Sequence, residues 1–412
     1  MSKREKIIVL LLASVNFTHI LDFMIMMPLG NYLMPEFDIS PKQFSLLLAS
    51  YPISSFISGI IMFFFADRFE RKKLLLLTYA GFIAGTVACG LAYTYSWLLG
   101  ARIIAGLFGG ILGGQVLAII GDLFTYERRG TAMGAVMSAF AIASSVGVTI
   151  SLYLVDIFKD NWHLPFLLVA GIAVIILPLS VVHLPVLNRH LLSADSPLKE
   201  NRWSQFFAVF RNRNTGLALL FSGLMMMGHF LIIPFINPYM EFNMGFSKGL
   251  TPVVFLVGGV ASLIAAIYLG RLSDKVGKLP VFSYCVLLSF IFVVLLTNLP
   301  ALPFTVVLGF FAVWFALATG RAVTSQTMVT AVTTETQRGS FMSLNSSIQH
   351  LGTGAAALIA GYIVTKEENG RLLRYEWVGY LSVLVLLAGF FLGRYLFRET
   401  DGKPRAAGQR TL

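Results

Sequence analysis

Apolar stretches of about 20 residues, the length a helix needs to cross a hydrocarbon core, recur along this whole chain. Twelve are counted, at roughly 7–34, 44–65, 74–94, 97–124, 132–156, 164–184, 215–240, 250–271, 280–298, 303–330, 341–365 and 377–397. With 57% of residues hydrophobic and only 12% charged, the runs lie too close together to leave room for a soluble catalytic domain. The expected fold class is an all-α membrane protein of twelve transmembrane helices.

Between these runs a charged loop occurs twice. The first copy is Ala66, Asp67, Arg68, Phe69, Glu70, Arg71, Lys72, Lys73; the second runs from Gly270 and Arg271 through Asp274, Lys275 and Gly277 to Lys278. Asp67 and Asp274 are 207 residues apart, and a weaker pair, Arg129-Gly130 and Arg338-Gly339, repeats at 209. Two matching offsets argue for an internal duplication, the device by which many transporters build a central site that opens to either side. The expected organisation is an N-terminal six-helix bundle (1–184), a linker (185–214), a C-terminal six-helix bundle (215–398) and a polar tail (399–412).

The net charge of +11 is distributed as a membrane protein distributes it. With the N-terminus inside, 22 of the 31 Lys and Arg fall in cytoplasmic segments and six outside (Lys42, Lys159, Lys248, Lys366, Arg371, Arg374), while Arg102, Arg321 and Arg394 lie within runs. That asymmetry places both termini in the cytoplasm and sets aside nucleic acid as a partner. Lys3, Arg4 and Lys6 precede an apolar run too long for a cleaved signal peptide, so it reads as the first span. Cys89 and Cys285 sit in separate spans, which disfavours a disulfide or a metal pair. Short loops without an external glycosylation sequon suit a prokaryotic inner (plasma) membrane.

Within the linker, Trp203, Phe206, Phe207 and Phe210 fall at i, i+3, i+4, i+7, an amphipathic helix for the headgroup layer or for the cytoplasmic ends of the bundle. Stripes of small residues at four-residue spacing mark four spans: Ser50, Ser54, Ser58; Ala139, Ala143, Gly147, Ser151; Gly258, Ser262, Ala266, Gly270; and Gly352, Ala356, Ala360. In lipid such stripes let backbones approach closely. They are read either as static packing within each half or as the sliding seam between halves.

These features resemble the major facilitator superfamily over the whole chain. Its loop signature after spans two and eight, G-x-L-a-D-r-x-G-r-k, is matched by Gly270, Leu272, Asp274, Lys275, Gly277 and Lys278; the first copy keeps Asp67, Arg68, Arg71 and Lys72, with Phe63 and Glu70 in place of glycines. The resemblance implies that spans two and eleven, and five and eight, meet across the halves, and that the protein is a monomer. Within the superfamily the chain is similar to the drug–proton antiporter branch and its sugar or arabinose efflux permeases. The residues behind this are Leu21, Asp22, Phe23 and Met24 through Pro28, Arg102-x-x-x-Gly106, Asp122 through Arg129, and Asn345 to Gly352. The branch's span-five motif is degenerate: Gly147 is present, but Val148 and Ser151 replace the expected Pro and Gly.

Asp22 is the one acid deep in a run, where an unpaired charge costs on the order of 3 kcal/mol by insertion scales. It is read as a proton carrier or as half of a permanent ion pair. Arg102 is its natural partner, and the resemblance places this arginine beside the proton site. His19, one turn before Asp22, could relay a proton or simply bond a neighbouring helix. A cavity lined from spans one, four, seven, ten and eleven has Met26, Gln115, His229, Asn237, Arg321, Gln349 and His350 as candidate substrate contacts. Arg321 has three readings: an anion ligand, a partner for Asp22, or a side chain snorkelling to the inner surface.

Asp67, Arg68, Arg71, Asp122, Arg129, Gly270, Asp274, Lys275, Gly277 and Arg338 read as a conformational latch in which loop carboxylates accept hydrogen bonds from helix ends of the opposite half. A charge cluster that only sets topology is the other reading. No Gly-Lys-Ser/Thr loop supports ATP-driven pumping, no His-Glu-x-x-His a metalloenzyme, and no nucleophile–base pair can be named. No cofactor is expected. The expected partners are the lipid bilayer, protons and a small-molecule substrate. The reading is a secondary transporter that exports a small amphipathic molecule against inward proton flow. The alternatives are a proton-coupled importer or an uncoupled facilitator of a small polar solute such as a sugar, and, from another class, a transporter-like receptor.

Overall fold

A computed structural model describes residues 2–65, 68–124, 132–136, 138–139, 142–158, 160–187, 202–299, 302–333, 338–368 and 370–401. The described chain is helical apart from one two-stranded hairpin. In order, the helices are α1 (Lys3–Ile25), α2 (Gly30–Glu36), α3 (Pro41–Phe65), α4 (Arg71–Gly90), α5 (Tyr95–Leu123), α6 (Val148–Ile157), α7 (Leu164–His183), α8 (Arg202–Arg211), α9 (Arg213–Phe230), α10 (Ile233–Phe242), α11 (Thr251–Val276), α12 (Lys278–Thr297), α13 (Phe304–Thr330), α14 (Arg338–Ile363) and α15 (Tyr375–Asp401). In hydrocarbon a lipid-exposed backbone must satisfy itself, which leaves helices for a chain this apolar.

Ten described helical segments are long and apolar enough to cross a membrane: α1, α3, α4, α5, α7, α9 with α10, the stretch from Lys248 through α11, α12, α13 and α15. The expected run at 132–156 passes through residues outside the described set; its described parts include a π-helical turn, Ala143–Gly147, leading into α6. The expected run at 341–365 forms the 26-residue α14, which is not among the ten. The chain is thus a multi-pass all-α membrane protein.

Two expected runs are broken at corresponding places. The run at 7–34 divides at Met26–Leu29, where Pro28 has no N–H to donate, and the run at 215–240 divides before Pro234, near the start of α10. The short helices beyond the breaks meet: a Cβ on Gly30 of α2 would stand 2.9 Å from the Phe44 ring and 3.0 Å from Pro238 of α10. Asn31 Nδ2 donates to the Asn237 carbonyl at 3.3 Å, and Lys248 Nζ reaches Asp160 Oδ2 at 3.2 Å while lying 4.7 Å from the Tyr32 ring centre. These contacts close the end of the bundle remote from the duplicated loops, called the far end below. The hairpin β1 (Thr365–Lys366) and β2 (Leu372–Leu373) sits at the same end. There the Asn243 side chain bonds both the carbonyl and the N–H of Leu372.

The helix pairs expected to join the two halves of the chain do so. α14 lies along α3, with Ser347 against Gly59, Gly354 against Ile53 and Gly361 against Ser45. α11 lies along α6 and the π-turn, with Gly259 against Ser145, and Thr149 Oγ1 donates to the Pro252 carbonyl at 3.4 Å. The small-residue stripes themselves turn elsewhere: Gly352 faces the Gly223 carbonyl of α9, Gly147 faces Leu21 of α1, and Gly258 and Ser262 face Phe315 of α13. Those stripes pack within each half. On α14, on α11 and on the 143–151 stretch the seam runs one to two residues further round.

At the opposite end, called the basic end, α8 forms where the i, i+3, i+4, i+7 spacing predicts a helix. Phe206 packs on Phe63 and Phe64 and Trp203 on Phe64, while Phe207 and Phe210 remain exposed, so the helix lies against the end of α3 and also presents aromatic rings outward.

Candidate functional site

Asp22 lies on α1 with a neighbour on every side. The carboxylate is fully buried and its Oδ2 accepts from Arg102 Nη1 of α5 at 2.8 Å; the same nitrogen reaches the Asp22 carbonyl at 3.2 Å. Two rings wall the guanidinium: Tyr51 of α3, 4.6 Å from its carbon, and Phe166 of α7, 5.9 Å away. The Thr86 hydroxyl of α4 stands beside the carboxylate.

Glycines in α5 make this enclosure possible. A Cβ on Gly106 would collide with the Tyr51 carbonyl, and one on Gly109 with the Tyr51 hydroxyl, so α3 rests directly on the α5 backbone. Ser55 Oγ donates to the Gly106 carbonyl at 2.9 Å across the same contact. The Arg102-x-x-x-Gly106 pair is therefore one device: the arginine supplies the charge, and the glycine lets Tyr51 approach it. Tyr51, Thr86 and Phe166 went unnoticed in the sequence, where each is an ordinary member of an apolar run.

The C-terminal half has its own buried cation. Arg321 of α13 is 3% exposed, and its Nη2 meets His229 Nδ1 of α9 at 3.3 Å. The His229 ring stacks on Trp314, two turns earlier on α13, with centroids 5.2 Å apart. In this structure Asp22 is engaged by Arg102 rather than by Arg321, and the Arg321 guanidinium is buried rather than at a surface.

Gln349 Nε2 of α14 donates to Ser222 Oγ of α9 at 2.9 Å and to Gln326 Oε1 of α13 at 3.1 Å, knitting three helices. His350, beside it, is half-buried. His19 is buried on α1 with Nε2 3.5 Å from where a Cβ on Gly113 would stand. Met26, Gln115 and Asn237 are buried, Asn237 at the far-end closure and Gln115 on α5. The structure thus gathers His229 and Arg321 in one place, Gln349 and Gln326 in another, and leaves Met26 and Asn237 nearer the far end. A separate groove of about 470 Å³ opens between α1 and the 135–142 stretch, lined by Lys6, Leu10, Ser14, Phe17, Ser138 and Ile142.

At the basic end Arg71 Nε bonds Asp122 Oδ2 at 2.5 Å, and Lys278 bonds Asp274. Both pairs lie within one half of the chain. Glu70, in a glycine position of the loop signature, pairs with Lys73 at 3.4 Å. Gly277 makes the turn from α11 to α12 at φ +101°, a conformation that favours glycine. Gly270 and Lys275 lie in the last turns of α11, Arg68 stacks near Phe65 with 5.0 Å to the ring centre, and Arg338 opens α14. Asp67 and Arg129 lie outside the described residues.

One Gly-x-Ser-x-Gly string does occur, Gly245 to Gly249, but it forms the far-end loop and 3-10 turn before α11. A hydrolase elbow needs a strand-to-helix turn that exposes the serine, so the string is not one. Among the described residues no cluster of metal-ligating side chains is found.

A bundle of spanning helices with an ion pair buried inside it defines a multi-pass transport protein. The chain belongs to the Major Facilitator Superfamily, whose family model matches residues 12–258 and again 218–412. It is 24% identical over 379 residues to the MFS-type transporter YceJ of Bacillus subtilis (strain 168), covering 91% of this chain and 93% of that one. Its fold is similar to the inward-facing, unoccupied form of a bacterial homolog of the human lysosomal transporter Spinster (TM-score 0.76, 16% identity, 98% and 100% covered). It is equally similar to the D-xylose–proton symporter (TM-score 0.76, 17% identity, 95% and 97% covered). These relatives are transporters, not enzymes.

Proposed function

We propose that this protein is a proton-coupled secondary transporter of a small solute. Two six-helix halves move about the α3–α14 and α6–α11 seams, and Asp22 with Arg102 forms the proton-sensitive element. The observation that carries this reading is the 2.8 Å Asp22–Arg102 pair, with both side chains fully buried. A carboxylate enclosed this way exchanges a proton only when the helices around it move. Protonation then removes its charge and releases Arg102, which ties the proton to the conformational equilibrium.

The direction we favour is uptake together with protons, the importing alternative, rather than export. Two observations support it. The span-five positions that mark the exporting branch carry Val148 and Ser151. The fold is also one that serves a protein named as a proton symporter. Binding of protons and solute from outside, closure of the far end, and release at the basic end complete the cycle. The membrane is taken to be a prokaryotic inner membrane with both termini in the cytoplasm, and the transporter a monomer.

The test is a proteoliposome assay with an internal pH dye, using a panel of sugars, lipophilic drugs and carboxylates. Addition of a substrate outside should acidify the interior with wild type and not with Asp22→Asn. Interior alkalinisation would establish export by antiport instead. Solute movement with no proton flux, equal in both proteins, would make the protein a facilitator and Asp22 structural.

A further inference from the structure

The two buried arginines differ in one respect. Arg102 has a carboxylate against it, whereas Arg321, among the described residues, meets a histidine nitrogen and no carboxylate. Because the guanidinium can only donate, His229 Nδ1 must be the acceptor, and the ring is then neutral. Arg321 therefore keeps a full positive charge with no acidic partner among the described residues. Its Nη1 has no hydrogen-bond partner, and neither has the indole nitrogen of Trp314, which is 1% exposed.

These orphaned groups are donors only, and they sit on one face of α13 at i and i+7, with the His229 ring bonded to one and stacked on the other. Buried donors without acceptors are costly to leave unmade, and a buried cation more so. What satisfies such a set is a ligand that brings acceptors and a negative charge. The surroundings are otherwise apolar and aromatic: Phe230 stands beside His229, Phe23 beside Phe230, and Phe315 beside Trp314.

We infer that Arg321, Trp314 and His229 form the polar end of a binding site for an anionic amphipath, a carboxylate with an apolar or aromatic body. The carboxylate would accept from Arg321 and the Trp314 indole, and the body would lie among Phe23, Phe230 and Phe315. This names a substrate class for the proposed transporter and rests on that reading for transport, though not for binding.

The experiment is a thermal-unfolding titration of the detergent-purified protein with matched pairs: butyrate, octanoate, benzoate and 1-naphthaleneacetate, each against its neutral primary amide at constant ionic strength. At least one carboxylate should bind about tenfold or more tightly than its amide, as loss of hydrogen bonds to a charged group implies, and Arg321→Gln should abolish the difference. Unliganded Arg321→Gln should also unfold no earlier than wild type, since it removes an uncompensated charge. The inference is overturned if no carboxylate outbinds its amide, if the preference survives Arg321→Gln, or if the unliganded variant unfolds markedly earlier, the mark of a structural tether. A carboxylate that binds through Arg321 but does not cross proteoliposomes sinks the transport reading and leaves this site standing.

Discussion

Asp22 and Arg102 show what a buried charge asks of its neighbours. Removing one partner of a buried ion pair leaves the other uncompensated, which costs about 3–5 kcal/mol, whereas removing both can be nearly neutral. Arg102→Gln should therefore lower the thermal unfolding midpoint strongly, and Arg102→Gln combined with Asp22→Asn should recover most of the loss. If the double variant is no more stable than the single one, the pair is not what stabilises this part of the bundle. Asp22 was legible in the sequence because it is a lone acid deep in an apolar run, and its arginine because few charges were left to answer it. Tyr51 and Phe166, which wall the guanidinium, were not legible, since an aromatic ring in a membrane helix is common and only packing gives it a task.

Helices show a different limit. Which helices meet across the molecule followed from the family resemblance, but which faces meet did not. Along α14 the seam residues Ser347, Gly354 and Gly361 are spaced by seven, the period that keeps one face toward a partner helix. Gly147, Gly258 and Gly352 of the more conspicuous four-residue stripes pack within their own halves instead. Gly361 is the sharpest point of the seam: a Cβ there would collide with Ser45 and stand 3.1 Å from the Pro41 carbonyl. Overpacking of this kind costs about 1–3 kcal/mol, so Gly361→Ala should push the far end open. A cysteine at Met240, 4% exposed in α10, should then react at least about fivefold faster with an impermeant maleimide. The native cysteines, Cys89 and Cys285, are both buried and set a low background. An unchanged rate would mean that α3 and α14 separate freely and that the seam does not hold the far end.

At the scale of the whole molecule the far end is closed by Asn31, Lys248, Asp160 and the α2–α10 contact, while Asp274 is held by Lys278 within its own half. The latch reading requires Asp274 to exchange that lysine for a helix end of the other half when the basic end closes. Asp274→Asn should then weaken the closed basic end, and a cysteine at Ser138, in the groove beside α1, should label faster than in the parent. Equal rates would leave the duplicated loops as topology signals only.

Sequence alone determined that this chain is a multi-span bundle of membrane helices, because hydrocarbon permits a chain so apolar little else. It also singled out Asp22, Arg102 and Arg321, because a charge in an apolar run stands out without any knowledge of its neighbours. Tertiary structure alone decided what surrounds those charges: the Asp22–Arg102 pair is walled by Tyr51, and Arg321 is met by a histidine and, among the described residues, by no acid. Residues 80 positions apart in one pair and 92 in the other come together through helix rotation and tilt, which packing sets and local sequence does not.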